Sequence, residues 1–355
     1  MTALTVNGIS IGFYPDEGDA GGHKSYLSDL NSALSRSWSS FSSSTAQPPV
    51  ITTVGWYAQT YPSEQFTGFQ LMPLVDDIKR EYSRCPTHYI YEASVMPFQS
   101  WAGFTPQNNT KAIEVAQVMQ AMLEQSRVGQ EFAIGEIRLR FGHEVNYYIK
   151  SGLYPPPTTS DQGYDYRTAF DTVALACRSL AHRYSSRIKM FWCPNIASTS
   201  TGALAEYQTF LPLLQYIDYV GIDYYCPAPG SLNSTDFIRK MKKVHDNYAC
   251  ATRPFILGET GLHFDADEGG GIEAKLKWLD LVTGEEARKG LKWMQGVSWF
   301  NYEKDRDYRV IWVGEGEEAL NEPFVEWLQR RMSVAKKEAS GGGKVKKFWK
   351  TLLAK

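Results

Sequence analysis

Ile137 to Tyr148, IRLRFGHEVNYY, passes from strand to chemistry within a dozen residues. Ile137, Leu139 and Phe141 alternate with Arg138 and Arg140, the period-two pattern of a strand. His143, Glu144 and Asn146 then crowd into four positions, with Tyr147 and Tyr148 directly after them. A carboxylate at the C-terminal end of a strand, between a histidine and an amide, is where a barrel enzyme carries its acid.

Working outward, the chain repeats one unit. Strands are predicted at Gly8 to Tyr14, Val50 to Tyr57 and His88 to Met96 before this one, and at Arg187 to Cys193, Tyr219 to Tyr225, Pro254 to Glu259 and Gly296 to Tyr302 after it. Apolar residues at helical spacing fill the intervals: residues 23 to 37, Leu71 to Tyr82, Thr110 to Ser126, Tyr166 to Ser185, 204 to 215, Asp236 to Tyr248 and Gly271 to Lys289, with a closing helix from Glu317 to Met332. Loops are expected at the serine-rich Ser37 to Ala46 and at Tyr154 to Gly163. Eight strands alternating with helices imply parallel crossover units, and a closed (β/α)8 TIM barrel is the economical architecture. An open doubly wound sheet would want a glycine-rich phosphate loop after the first strand, and FYPDEGDAGG has neither the G-x-G-x-x-G nor the Walker spacing. The expected organisation is a single barrel over 1–335, a Gly-rich linker over 336–343 and a basic tail over 344–355.

Composition narrows the function. The 355 residues are 43% hydrophobic and 14% aromatic, with 39 acidic against 37 basic side chains for a net charge of −2. That balance lacks the clustered basic excess of nucleic-acid binding. Surplus Trp and Tyr suit sugars, whose C–H faces stack on rings while their hydroxyls meet polar partners. Five cysteines without a CxxC spacing describe neither a zinc site nor a disulfide framework. A metal-dependent amidohydrolase would need an H-x-H after the first strand and more strand-end histidines than six His residues supply.

Closure would bring the residues that finish the strands to one rim: Tyr14 and Asp16, Trp56, Glu92, His143 with Glu144 and Asn146, Trp192 and Asn195, Asp223 and Tyr225, Glu259, and Trp299 with Asn301. Glu144 and Glu259 end the fourth and seventh strands. Singly, either is as well explained as a solvated rim charge or a partner of Arg140. Together they suit glycoside hydrolysis, in which one carboxyl donates a proton and the other attacks as the anion. His143 and Tyr225 are expected to hold Glu259 ionised, and Trp192 and Trp299 to wall the sugar. A carbohydrate-binding barrel without turnover is the competing class. Cys193 and Cys226 are expected to be packing residues.

Leu139, Arg140, His143, Glu144 and Asn146 resemble the L-R-x-x-H-E-x-N signature of glycoside hydrolase family 26, the β-mannanase family of clan A. The similarity continues in Trp192 to Asn195 (WCPN), in Gly221, Asp223 and Tyr225, in Gly258 to Gly261 (GETG) and in Trp299, from about residue 134 to 302. The resemblance implies a retaining β-glycosidase without cofactor or metal. It makes Glu144 the acid/base, Glu259 the nucleophile, His143 and Tyr225 the partners of Glu259, and Trp299 the platform under the reacting sugar. Arg140, Asn146 and Trp192 complete the substrate-binding set. A mannan-type β-linked glycan is the implied substrate, beside mixed-linkage β-glucan and β-xylan. Tyr147, Tyr148 and Ile149 stand where mannanases usually carry Gly and a tryptophan-rich run.

The remaining expectations concern place and tail. MTALTVNGISIGFYP lacks a charged leader before an apolar run, so the protein is expected in the cytoplasm, or secreted where a leader has been removed, with N-x-S/T sequons at Asn108 and Asn233 favouring the second. Lys344 to Lys355 sets Val345, Phe348, Trp349, Leu352 and Leu353 on one helical face among lysines, a pattern that fits an anionic membrane surface or a partner groove.

Overall fold

The computed structural model describes residues 2–42, 47–263 and 270–332. Eight parallel strands carry the fold: β1 (Ile9–Pro15), β2 (Thr53–Thr60), β3 (Tyr89–Pro97), β4 (Ile134–Phe141), β5 (Ile188–Trp192), β6 (Tyr219–Asp223), β7 (Phe255–Thr260) and β8 (Met294–Asn301). Each pairs with the next in sequence, and β8 returns to β1 with Gly296 opposite Ser10 and Asn301 opposite Pro15. Phe13 of β1 also meets Val54 of β2, so no edge is left and the sheet is the expected closed barrel. Helices α1 (Leu27–Phe41), α2 (Met72–Arg84) and α3 (Thr110–Gln125) follow the first three strands. After β4 come α4 (Val145–Ser151), α5 (Tyr164–Arg178) and α6 (His182–Ser185). Then come α7 (Ala203–Thr209), α8 (Ser234–Tyr248), α9 (Gly271–Thr283) and α10 (Glu285–Gly290), and a helix over 322–332 is the last element of the described residues.

Several boundaries differ from expectation for local reasons. Helix α1 runs through the serine-rich stretch to Phe41, because Leu30, Ala33, Leu34, Ser37 and Trp38 bury one face of it. The helix expected over Tyr166 to Ser185 breaks where Ala181 turns extended (ψ 142°). The one expected over 204 to 215 stops at Thr209, three residues before Pro212, which can neither donate to nor fit within a helical turn. Gly284 splits the long helix after β7, its extended backbone separating α9 from α10. The linker and the amphipathic tail lie outside the described residues. Among the described residues no helix is long and apolar enough to cross a membrane.

The barrel interior is polar, which decides where the site stands. On β4 the apolar Ile137, Leu139 and Phe141 face the helices, while Arg138 and Arg140 point inward and are almost fully buried. Arg138 donates to Glu92 of β3 at 3.0 Å and to Glu136 at 2.9 Å, and Ser298 of β8 donates to the other Glu92 oxygen at 2.6 Å. A buried guanidinium needs such pairing, since each unpaired ion costs several kcal/mol on the order of magnitude. One layer higher, toward the C-terminal rim, Arg140 forms a second such centre.

Candidate active site

Four groups surround the Arg140 guanidinium. It donates to Glu259 Oε1 at 2.7 Å, Asp223 Oδ2 at 2.5 Å, the Tyr14 hydroxyl at 2.6 Å and Ser94 Oγ at 3.2 Å. Glycine makes this density of contacts attainable: a Cβ on Gly258 would stand 2.4 Å from Cys193 Sγ and 2.6 Å from Asp223 Oδ1. Arg140 is fully buried beneath the carboxylates. It is therefore a clamp on Glu259 and not a sugar-binding residue.

Glu144 follows β4 and a left-handed Gly142. Its own backbone is left-handed as well (φ 53°), a conformation side-chain-bearing residues adopt at a cost of about 1–3 kcal/mol. The turn is held by Glu144 N–H donating to Cys193 O at 2.9 Å, and by Tyr147 and Tyr148 N–H groups donating to Glu144 O at 2.8 and 2.9 Å. The carboxyl is thereby thrown over the barrel mouth. One oxygen from each of Glu144, Asp223 and Glu259 lies within 4.8 Å of the others. Three carboxylates could offer oxygens to a cation, and here the Arg140 guanidinium already supplies the positive charge.

The two glutamates differ in proton affinity. Burial, then the neighbouring Glu259 charge, pushes Glu144 up to about 7, against the opposing hydrogen bond from Asn195 Nδ2 at 2.6 Å. Burial, the largest single influence, also presses Glu259 upward, but the Arg140 charge and the hydrogen bonds the carboxyl accepts together hold it below the ordinary value. Tyr225 donates its hydroxyl to Glu259 Oε2 at 3.1 Å, as expected. His143 departs from expectation. Burial and the Arg140 charge lower it to about 3, so it is neutral, and its Nε2 is 3.8 Å from Glu259 Oε1, beyond hydrogen-bond reach. Its ring lies between those of Tyr57 and Tyr148, 5.5 and 5.6 Å away.

Above these groups is a cleft of about 280 Å³. Glu144, Glu259, His143 and Tyr225 line it together with Tyr57 and Tyr148. Besides Arg140, three of the expected sugar-binding residues do not. Trp192 is fully buried on the outer face of β5, its ring edge-on to Tyr248 of α8 at 5.6 Å. Trp299 is fully buried on the outer face of β8, where its Nε1 donates to Tyr308 O at 2.8 Å. Both tryptophans belong to the packing between barrel and helices. Asn146 is buried beside α7 and Asn195, away from the cleft.

The aromatic wall comes from residues the sequence reading left unassigned. Phe300 and Tyr302 stack in parallel with centroids 4.1 Å apart, and Tyr308 meets Phe300 edge-on at 5.3 Å. Phe300 is in phase with the inward Ser298, which is the signal that could have found it. Glu17, in the loop after β1, also reaches the cleft; burial pushes it up to about 8 while it accepts the Tyr57 N–H at 2.8 Å. Cys193 and Cys226 are buried, and Cys193 Sγ donates to Asp223 Oδ1 at 3.0 Å.

No protein-family model matches the chain, and no curated protein matches it. Solved structures do. GH26C from a Muricauda species aligns with a TM-score of 0.57 at 16% identity, covering 92% of this chain and 86% of its own. The GH26 β-mannanase from Bacteroides ovatus gives 0.57 at 15%, covering 91% and 89%. In its fold the chain is similar to these two enzymes. A GH5-4 broad-specificity endoglucanase from an uncultured bacterium aligns at 0.54 and 10% identity, covering 93% of this chain and 96% of its own, so the same architecture is found in proteins of more than one such family.

Proposed function

We propose that the protein is a retaining β-glycoside hydrolase in which Glu144 is the acid/base and Glu259 the nucleophile. One observation carries the reading: two carboxyls within 4.8 Å that favour opposite proton states. That spacing fits the roughly 5–5.5 Å of double displacement and is too short for the roughly 6.5–9.5 Å an inverting pair needs to admit a water. In the first step Glu144 gives its proton to the leaving glycosidic oxygen while a Glu259 oxygen attacks the anomeric carbon, forming a glycosyl ester. In the second, Glu144 takes a proton from water, whose oxygen displaces Glu259. Arg140 and Tyr225 keep Glu259 ionised and aimed.

The family 26-like fold favours a mannan-type β-linked glycan, and the stacked Phe300 and Tyr302 supply an apolar wall suited to a sugar ring. Reducing-sugar release from β-mannan, mixed-linkage β-glucan and β-xylan tests the activity, and proton NMR of the first product tests the stereochemistry. Release from mannan with the β-anomer appearing first is expected. First appearance of the α-anomer, or no release from any of the three, overturns the reading.

A further inference from the structure

Beyond the two glutamates, a chain of hydrogen bonds leads from Glu144 away from the cleft to a third acidic residue. Asn195 Nδ2 donates to Glu144 Oε1 at 2.6 Å. The backbone N–H of Asn195 donates to Asn146 Oδ1 at 2.8 Å, and Asn146 Nδ2 returns a bond to Asn195 O at 3.1 Å, so the two asparagines lock each other. The outer bond of Asn146 Nδ2, at 2.7 Å, goes to Glu206 Oε1 on α7. Glu206 also accepts from Lys150 Nζ at 3.1 Å and from Ser198 N–H at 3.1 Å, and Tyr207 beside it accepts the Ala197 N–H at 2.9 Å. A short helix thus grips the loop after β5 at two successive backbone amides, three and two residues beyond Asn195.

An amide can face either way, and what fixes it is the partner at each end. An acceptor-only carboxylate at Glu206 forces the NH₂ of Asn146 outward, which leaves its oxygen to receive Asn195 N–H. We infer that Glu206 is the positioning residue for the acid/base: through Asn146 and Asn195 it holds a donor on Glu144 Oε1. The inference rests on the assignment of Glu144 as acid/base.

An N–H donated to a carboxylate stabilises the anion and restrains the rise of its pKa. With the relay broken, Glu144 loses that restraint, while the other groups facing it, Glu259, Asp223, Arg140 and the Tyr148 hydroxyl, are unchanged. In Glu206→Ala the basic limb of the kcat/KM profile therefore moves to higher pH. The kcat on the natural glycan falls roughly tenfold, a part of the 10²–10⁴ that general acid catalysis contributes, with KM little changed. Turnover of an aryl glycoside whose leaving group needs no proton loses less in its first, glycosyl-forming step, read as the burst. Glu206→Gln, which keeps an acceptor oxygen for Asn146, restores the basic limb, and Asn195→Ala reproduces the shift. Should Glu206→Ala not fold, Glu206→Asp draws the carboxylate back by one methylene and gives the same shift.

Equal losses on both substrates with an unmoved pH profile would reduce Glu206 to a structural residue and overturn the inference. Glu144→Ala, run beside these variants, separates the two ideas. If it fails to spare the activated substrate, the acid/base assignment itself is wrong; if it spares it and Glu206→Ala leaves the profile in place, only the relay falls.

Discussion

Glu144 and Glu259 share a cavity yet are held in opposite proton states by different neighbours. Arg140 sits against Glu259, whereas Glu144 meets burial and a negative charge. The proposed mechanism needs Glu144 protonated and Glu259 ionised. The rate therefore falls on the basic side as pH passes about 7, where Glu144 loses its proton, and on the acid side only where Glu259, lowered from its ordinary value, gains one. A bell with an acidic to neutral plateau is expected, unmoved by EDTA. Glu259→Ala should abolish turnover of every substrate, since no leaving group replaces a nucleophile. Glu144→Ala should lose natural glycans by about 10²–10⁴-fold but still form the intermediate from an activated aryl glycoside and stall there. Azide attacks without needing a general base, so a β-glycosyl azide should accumulate, detectable by mass spectrometry. Loss of both substrate classes alike in the two mutants would contradict the assignment.

At the level of elements, strand parity governs what was legible. The alternation in β4 announced the strand and its carboxylate, and all eight barrel strands fall within a few residues of the expected positions. The same alternation, followed further, would have placed Arg140 inside the barrel with Arg138, and Trp192 outside it with Ile188 and Met190. Trp299 likewise shares a face with Val297, whereas Phe300 shares one with Ser298. Tryptophans at strand ends looked like sugar platforms because their ring chemistry fits either environment; only the phase distinguishes them. The Glu206 contact had no sequence signal, because it joins residues 60 positions apart through a loop. Trp299→Ala should lower stability by about 3–5 kcal/mol, seen in a denaturant melt, with KM nearly unchanged in the folded fraction. Phe300→Ala should show the reverse balance, with catalytic efficiency on the glycan falling more than the melt shifts. A large KM effect from Trp299→Ala at constant stability would return that tryptophan to the site.

Across the whole molecule, closure of β8 onto β1 brings chemistry to one mouth and stability to the layers beneath. The Arg138, Glu92 and Ser298 layer anchors the lower interior, and Arg140 ties four strands together just under the cleft: β4 itself, with Tyr14 of β1, Ser94 of β3 and Glu259 of β7, while Asp223 adds β6. Glu144 is one exception to this satisfaction of charge. It binds its proton more tightly folded, at about 7, than at its ordinary 4.5, so ionisation opposes folding. Below about 4.5 the group is protonated in both states and costs nothing; the cost grows as pH rises and is full above about 7. Glu144→Gln should therefore melt like the parent at pH 4 and be more stable by about 3 kcal/mol at pH 8, as thermal denaturation at the two pH values would show.

The left-handed backbone at Glu144 (φ 53°) extends that conflict from charge to chain. Glycine adopts this conformation without penalty, so a variant library screened only for survival on heating is expected to enrich Gly at position 144, discarding the proposed acid/base because its backbone conformation and buried charge both favour its loss. Any thermostabilised descendant of this protein is best judged by sugar released after heating, since resistance to heat alone rewards the loss of its chemistry.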